Sequence, residues 1–543
     1  MGTRAKWLAI TACIVAAVCG AAFGIKSLVS NNRDTGSTAV MQAFAKDWAR
    51  QDAAAAAAHT TAPGQAEESL TASLRAMGAQ RIDVSVERPV EYTDGSASFS
   101  LRTTWNWSDD RSYTSETSGT ARHLSTGWRV AWEPTLINSD LPSGGKLRLV
   151  RTDARPAPKV LSRSGKTFMY LQPVSEVVLD PTRSGDTGAA ARSLAKVLAP
   201  IAPLVTADVI NQKIAATPGR PITAVTLRDS DMAVLTRRPE SVRGVTVQKS
   251  SMLVLADRRL GSPLEAGLTN YWQAIRDATA GWQVQLVGPG IATPRRLAGE
   301  QGPPGPNVAT TVDQGVQLTL GDAAVMVAQP ATILVLDAAT GGIEGMAQND
   351  AAAARGINID TPYLVGSTLD PVLEAADRTG SRGVALDRLG LGVGFTIPGA
   401  SAPAPGQPGV ATIDYERSGL KMSMSNMAAF GVAMARSMLG SPSSVAPFII
   451  NGATTRVEHG ELGDLDPAVA RSVAAAMTTT ARTGDASDLT NAQGLKALVG
   501  TNGPQGPGWF VGVQDGKVIV IYTEGATSGT AALQVAQKYF RIR

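Results

Sequence analysis

A serine that opens a helix can be a nucleophile or a cap, and the stretch YLVGSTLDPVLEAAD, Tyr363 to Asp377, allows both. Serine is a weak nucleophile at its own pKa and needs an adjacent base. A residue three positions on shares the helical face and can reach the hydroxyl. Here that residue is Asp370, an acid rather than an amine. The same four residues also fit a capping box, with Ser367 as N-cap and Asp370 satisfying a free amide of the first turn. The helix dipole favours a carboxylate there by about 0.3–1 kcal/mol. Pro371 fits as well, because its missing N–H costs little in a first turn.

Other chemistries are poorly supplied. Cys13 and Cys19 lie in the first 20 residues, so no intrachain disulfide can staple the rest. His59, His123 and His459 are far apart and no CxxC exists, so neither a metal site nor a cofactor is expected. The net charge of +4 is small for 543 residues, and its scattered Lys and Arg argue against a nucleic-acid partner. With 43% hydrophobic and 18% charged residues, the chain has the composition of a folded protein rather than a disordered one.

The elements that must position Ser367 belong to a multidomain α+β chain, since 543 residues exceed one core. Residues 1–27 read as a cytoplasmic tip and signal-anchor helix. Arg4 and Lys6 precede an uncharged run from Trp7 to Ile25. At 1.5 Å per residue that run spans roughly 28 Å, close to a bilayer's hydrocarbon thickness. The positive flank places the N-terminus inside a cell membrane and the bulk of the chain outside the cytoplasm. A cleavable signal peptide is the alternative, because CGAAFG is rich in small residues.

Residues 35–145 read as a small α+β domain. Phe44 and Trp48 are four apart in a helical stretch, and alternating strands run from Arg81 to Pro134. Residues 146–300 mix strands with alanine-rich helical segments, and the breakers of GEQGPPGPN end them. Residues 306–543 begin with a strand leading into a helix and close with a hairpin turning at Asp515–Gly516 before a final helix. That order predicts one antiparallel sheet covered by helices. Met422, Met424, Met427 and Met434 read as core packing.

Several segments, taken in order, resemble the class B penicillin-binding proteins, the D,D-transpeptidases of bacterial cell-wall synthesis. GWRVAWEP lies in a stretch similar to a nuclear-transport-factor-like cone domain, and PKVLSRSGK resembles the RGxIxDRxG start of a pedestal (dimerisation-like) domain. TTVDQGVQ, ILVLDAATGGIEGMA and YLVGSTLDP resemble successive segments of the penicillin-binding domain. The resemblance implies the domain order anchor, cone, pedestal and transpeptidase-like domain, with Ser367 at the position of the nucleophile.

Set against that family, three motifs are altered. Asp370 stands where SxxK has its lysine. No Ser-x-Asn falls between Ser367 and RLGLGVGFTIPGA, and the later Ser425-Asn426 matches the following helix instead. Leu498-Val499-Gly500 stands where Lys-Thr-Gly is expected. Gly500 and Thr501 mark that substrate-binding strand, and Lys496 lies two residues earlier on the same face.

The resemblance implies a membrane-anchored homologue in peptidoglycan assembly. The altered motifs favour a catalytically inactive scaffold or regulator that contacts wall-synthesis or division proteins or peptidoglycan. The alternatives are an active serine D,D-transpeptidase or carboxypeptidase with a non-standard site, and a non-covalent sensor of β-lactams or muropeptides.

Overall fold

The computed structural model describes residues 36–401, 419–500 and 508–543. The candidate signal anchor (1–27), both cysteines and Thr501 lie outside the described residues. Among the described residues no helix is long and apolar enough to cross a membrane. The chain forms two compact units. One runs to Ala154 and includes Ala280–Pro303, and the other takes Arg155–Thr279 and Pro304–Arg543. Segment 146–300 therefore contributes to both.

In the first unit three helices, α1 (Gly36–Ala49), α2 (Ala53–Ala58) and α3 (Pro63–Met77), precede four antiparallel strands. These are β1 (Arg81–Glu91), β2 (Ser96–Ser108), β3 (Arg111–Leu124) and β4 (Gly127–Val130), paired in chain order. The apolar residues of α1 sit on one face, so Met41, Phe44 and Trp48 are all buried against the sheet. Trp48 meets Trp105 of β2 edge to face at 5.6 Å, a geometry that ring quadrupoles favour. Alternation along β2 sends Phe99, Leu101, Trp105 and Trp107 inward. A strand over Lys146–Thr152 pairs antiparallel with Gly281–Val287, which also pairs with Arg295–Glu300. Its Leu147 and the facing Val284 and Leu286 join the same core.

Among the described residues the second unit holds two five-stranded sheets and two short two-stranded ones. In the first, Thr167–Leu179 pairs with both Ile222–Arg228 and Val245–Leu255. The second has the order Ile343–Gln348, Ala331–Asp337, Lys517–Thr523, Gly508–Gln514 and Lys496–Val499, antiparallel throughout. Its strands are apolar on both faces because helices cover both. Ile333, Val335, Ile519 and Ile521 pack with the C-terminal helix Ser528–Ile542. Leu334, Leu336, Val518 and Val520 pack with helix Met424–Met438. The hairpin turns at Asp515 and Gly516, whose φ values of 47° and 72° are those of a tight primed turn.

Candidate functional site

Ser367 follows the short strand Tyr363–Leu364, which pairs with Lys421–Met422. Two bonds hold the approach. The Val365 amide donates to Leu420 O at 3.0 Å, and the Trp509 indole donates to Leu364 O at 2.8 Å. Gly366 then adopts φ +54°, a left-handed conformation that glycine takes at little cost. Gly366–Leu369 form a 3-10 turn, and the α-helix runs from Asp370 to Asp377 with Pro371 in its first turn.

Ser367 is not the N-cap of the helix; Leu369 is, with no side-chain cap bond. The tight turn explains why. The Asp370 amide already donates to the Ser367 carbonyl, so the backbone itself satisfies a group that a capping box would serve. Ser367 is exposed, while Thr368 and Leu369 are buried beneath it. Asp370 is half-buried, and its carboxylate has no hydrogen-bond or ion-pair partner among the described residues.

The 3-10 turn packs against the edge strand Lys496–Val499 and its neighbour Gly508–Gln514. Leu498 is 2% exposed and packs in one core with Val365 and Leu369. Ala497 points to the opposite core. Lys496 has the parity of Leu498 but sits at the far end of the strand, opposite Val513, and is half-buried. Gly500 continues the pairing, its amide donating to Trp509 O at 2.9 Å. Ser367, Gly500 and Leu498 thus come to one edge of the sheet, with Lys496 farther along the strand.

Ser425 and Asn426 open the buried helix Met424–Met438. Ser423 is its N-cap, and Ser423 with Asn426 forms a reciprocal capping box. Asn426 Nδ2 also donates to Gly390 O at 2.9 Å and Val393 O at 2.7 Å. This tie holds the RLGLGVGF segment to the helix. Met422, Met424, Met427 and Met434 are at most 1% exposed, so all four are core packing.

Two features of the site were not legible in sequence. Tyr363 stacks on Tyr522 at 4.4 Å, and Tyr522 meets Trp509 at 4.7 Å. The Tyr522 hydroxyl donates to Glu524 at 2.9 Å, and Glu524 pairs with Arg355 at 3.0 Å. Burial and then the Glu524 charge raise the Tyr522 pKa well above its ordinary value. Asp360 precedes this ladder, and burial pushes its carboxyl up to about 6, offset in part by the Ser401 hydroxyl donating at 3.0 Å. The alternation of Tyr522 with Val520 and Val518 is the only signal that could have marked the ladder. Nothing local marks Asp360.

Among the described residues no group of three or more His, Cys, Asp or Glu is placed to hold a metal ion. Chemically, the arrangement offers an exposed serine three residues before a half-buried aspartate, with the buried apolar Leu498 on the adjoining strand.

Residues 36–144 match the family model of the NTF2-like N-terminal transpeptidase domain, and so coincide with the helices and four-stranded sheet of the first unit. No curated protein matches the chain.

Proposed function

We propose that this chain is a membrane-anchored penicillin-binding-protein homologue of peptidoglycan assembly, catalytically inactive and working as a scaffold or regulator. The transpeptidase-type first unit supports the relation to cell-wall proteins. Loss of catalysis rests above all on Leu498. A transpeptidase would present a cation at that position, and here a side chain 2% exposed closes the core beside the Ser367 turn. Asp370 adds a carboxylate where a lysine would activate the serine. Groups that act as a unit lose most of the rate when one is missing. The anchor rests on the uncharged run Trp7–Ile25 behind Arg4 and Lys6.

Exposure of Ser367 favours a second reading, an active serine transpeptidase or carboxypeptidase with Asp370 or Lys496 in an altered role. A non-covalent β-lactam or muropeptide sensor is the third. Incubating the full-length protein with a fluorescent penicillin, with Ser367→Ala beside it, and separating the products under denaturing conditions tests these. No covalent band is expected from the folded protein. A band that disappears in Ser367→Ala overturns the inactive reading, and saturable binding without a band selects the sensor.

A further inference from the structure

The first unit contains a cavity of about 390 Å³ whose wall includes Arg88, Phe99, Gly119, Glu133, Thr135 and Leu136. Its size falls within the roughly 300–1,000 Å³ of small-molecule sites. Phe99 and Leu136 are buried residues of the unit's core. They close together only because residue 119 is glycine: a Cβ there would lie 2.5 Å from Leu136 and 2.6 Å from Phe99.

The rim carries two opposite charges that are not spent on each other. β1 and β2 lose register between Glu87 and Val90, so Arg88 and Pro89 bulge out of the ladder. Arg88 has φ +52°, a left-handed backbone that disfavours any side chain, and the following proline stiffens it there. Its neighbour Glu87 is engaged by Arg102 at 2.8 Å. Arg88 itself is exposed and has no hydrogen-bond or ion-pair partner among the described residues. The Glu133 carboxylate, also exposed, accepts only the Thr135 hydroxyl at 3.2 Å among the described residues.

We propose that this cavity binds a small zwitterionic peptide, with its carboxylate on the Arg88 guanidinium, its ammonium on Glu133 and short side chains against Phe99 and Leu136. A guanidinium suits a carboxylate because its parallel N–H groups can engage both oxygens. A backbone held in a disfavoured conformation at a cavity rim is where strain marks function. The site is independent of Ser367 and goes beyond the function proposed above.

Titration calorimetry on the full-length protein in detergent, with tri-alanine as probe, tests it. Saturable binding is expected, weakened at least ten-fold by amidation of the peptide's C-terminus and equally by Arg88→Ala. N-acetylation should weaken binding to the wild type and have no further effect in Glu133→Gln. Both side chains are exposed, so the variants should melt with the wild type. Absence of saturable binding by the wild type up to millimolar peptide overturns the proposal. So does binding that survives both substitutions.

Discussion

The Trp509 indole and the Leu364 carbonyl are joined at 2.8 Å, which ties the strand next to the edge of the C-terminal sheet to the segment that delivers Ser367. Trp509 is fully buried, so its indole N–H depends on this carbonyl for a partner. The bond fixes where the 3-10 turn begins, and with it the exposure of the serine.

Trp509→Phe keeps much of the apolar volume and removes the donor. Loss of this part-buried bond costs about 0.5–1.5 kcal/mol, and loss of the larger ring adds to this. Chemical denaturation should show destabilisation of that order. Limited proteolysis should show new cleavage near Leu364, because the strand pair Tyr363–Leu364 with Lys421–Met422 is only two residues long on each side.

Asp360 should make stability depend on pH in a defined direction. Its folded pKa is raised from 3.8 to about 6, chiefly by burial. The protonated form is therefore the favoured folded one. That contribution is complete below pH 3.8 and is lost as the pH rises to about 6. Asp360→Asn keeps an acceptor for the Ser401 hydroxyl without the charge. Near pH 8 the variant should exceed the wild type by roughly 2–3 kcal/mol, and the difference should vanish near pH 4. Thermal melting across that range would measure it; an equal difference at both ends would remove Asp360 as the cause.

Asn426→Ala should be far more damaging than a helix-cap change. It removes the donors to Gly390 O and Val393 O together with the reciprocal cap. With two buried carbonyls orphaned, the loss should be about 2–4 kcal/mol. Ser423→Ala, which removes the other half of the cap, should cost about 1 kcal/mol. Urea unfolding of the two variants side by side gives the comparison.

Much of the architecture could be read along the chain because local rules govern it. Phe44 and Trp48, four apart, gave a helix face, and both are buried. Asp-Gly between two apolar runs marked the hairpin, and Asp515 and Gly516 take the positive φ it needs. Met422, Met424, Met427 and Met434 follow an apolar pattern that predicts core, and all four are buried. The start of the helix at Asp370 is not where the local pattern puts it. Ser-x-x-Asp satisfies the rule for a capping box, yet the 3-10 turn at Gly366–Leu369 provides the bonds the box would have made.

By itself the sequence determined which residue types stand at the site: a serine, an aspartate three residues on, and a leucine on the adjoining strand. It also determined the alternation and breakers that make helices and strands. Tertiary structure alone decided that Leu498 is buried in one core with Val365 and Leu369, that Asn426 ties down Gly390 and Val393, and that Lys146–Thr152 pairs with a strand more than a hundred residues away. The reason is physical. Periodicity reports how a residue faces its own neighbours, whereas burial and hydrogen-bond partners depend on segments distant in sequence, and no local pattern encodes which segment will arrive.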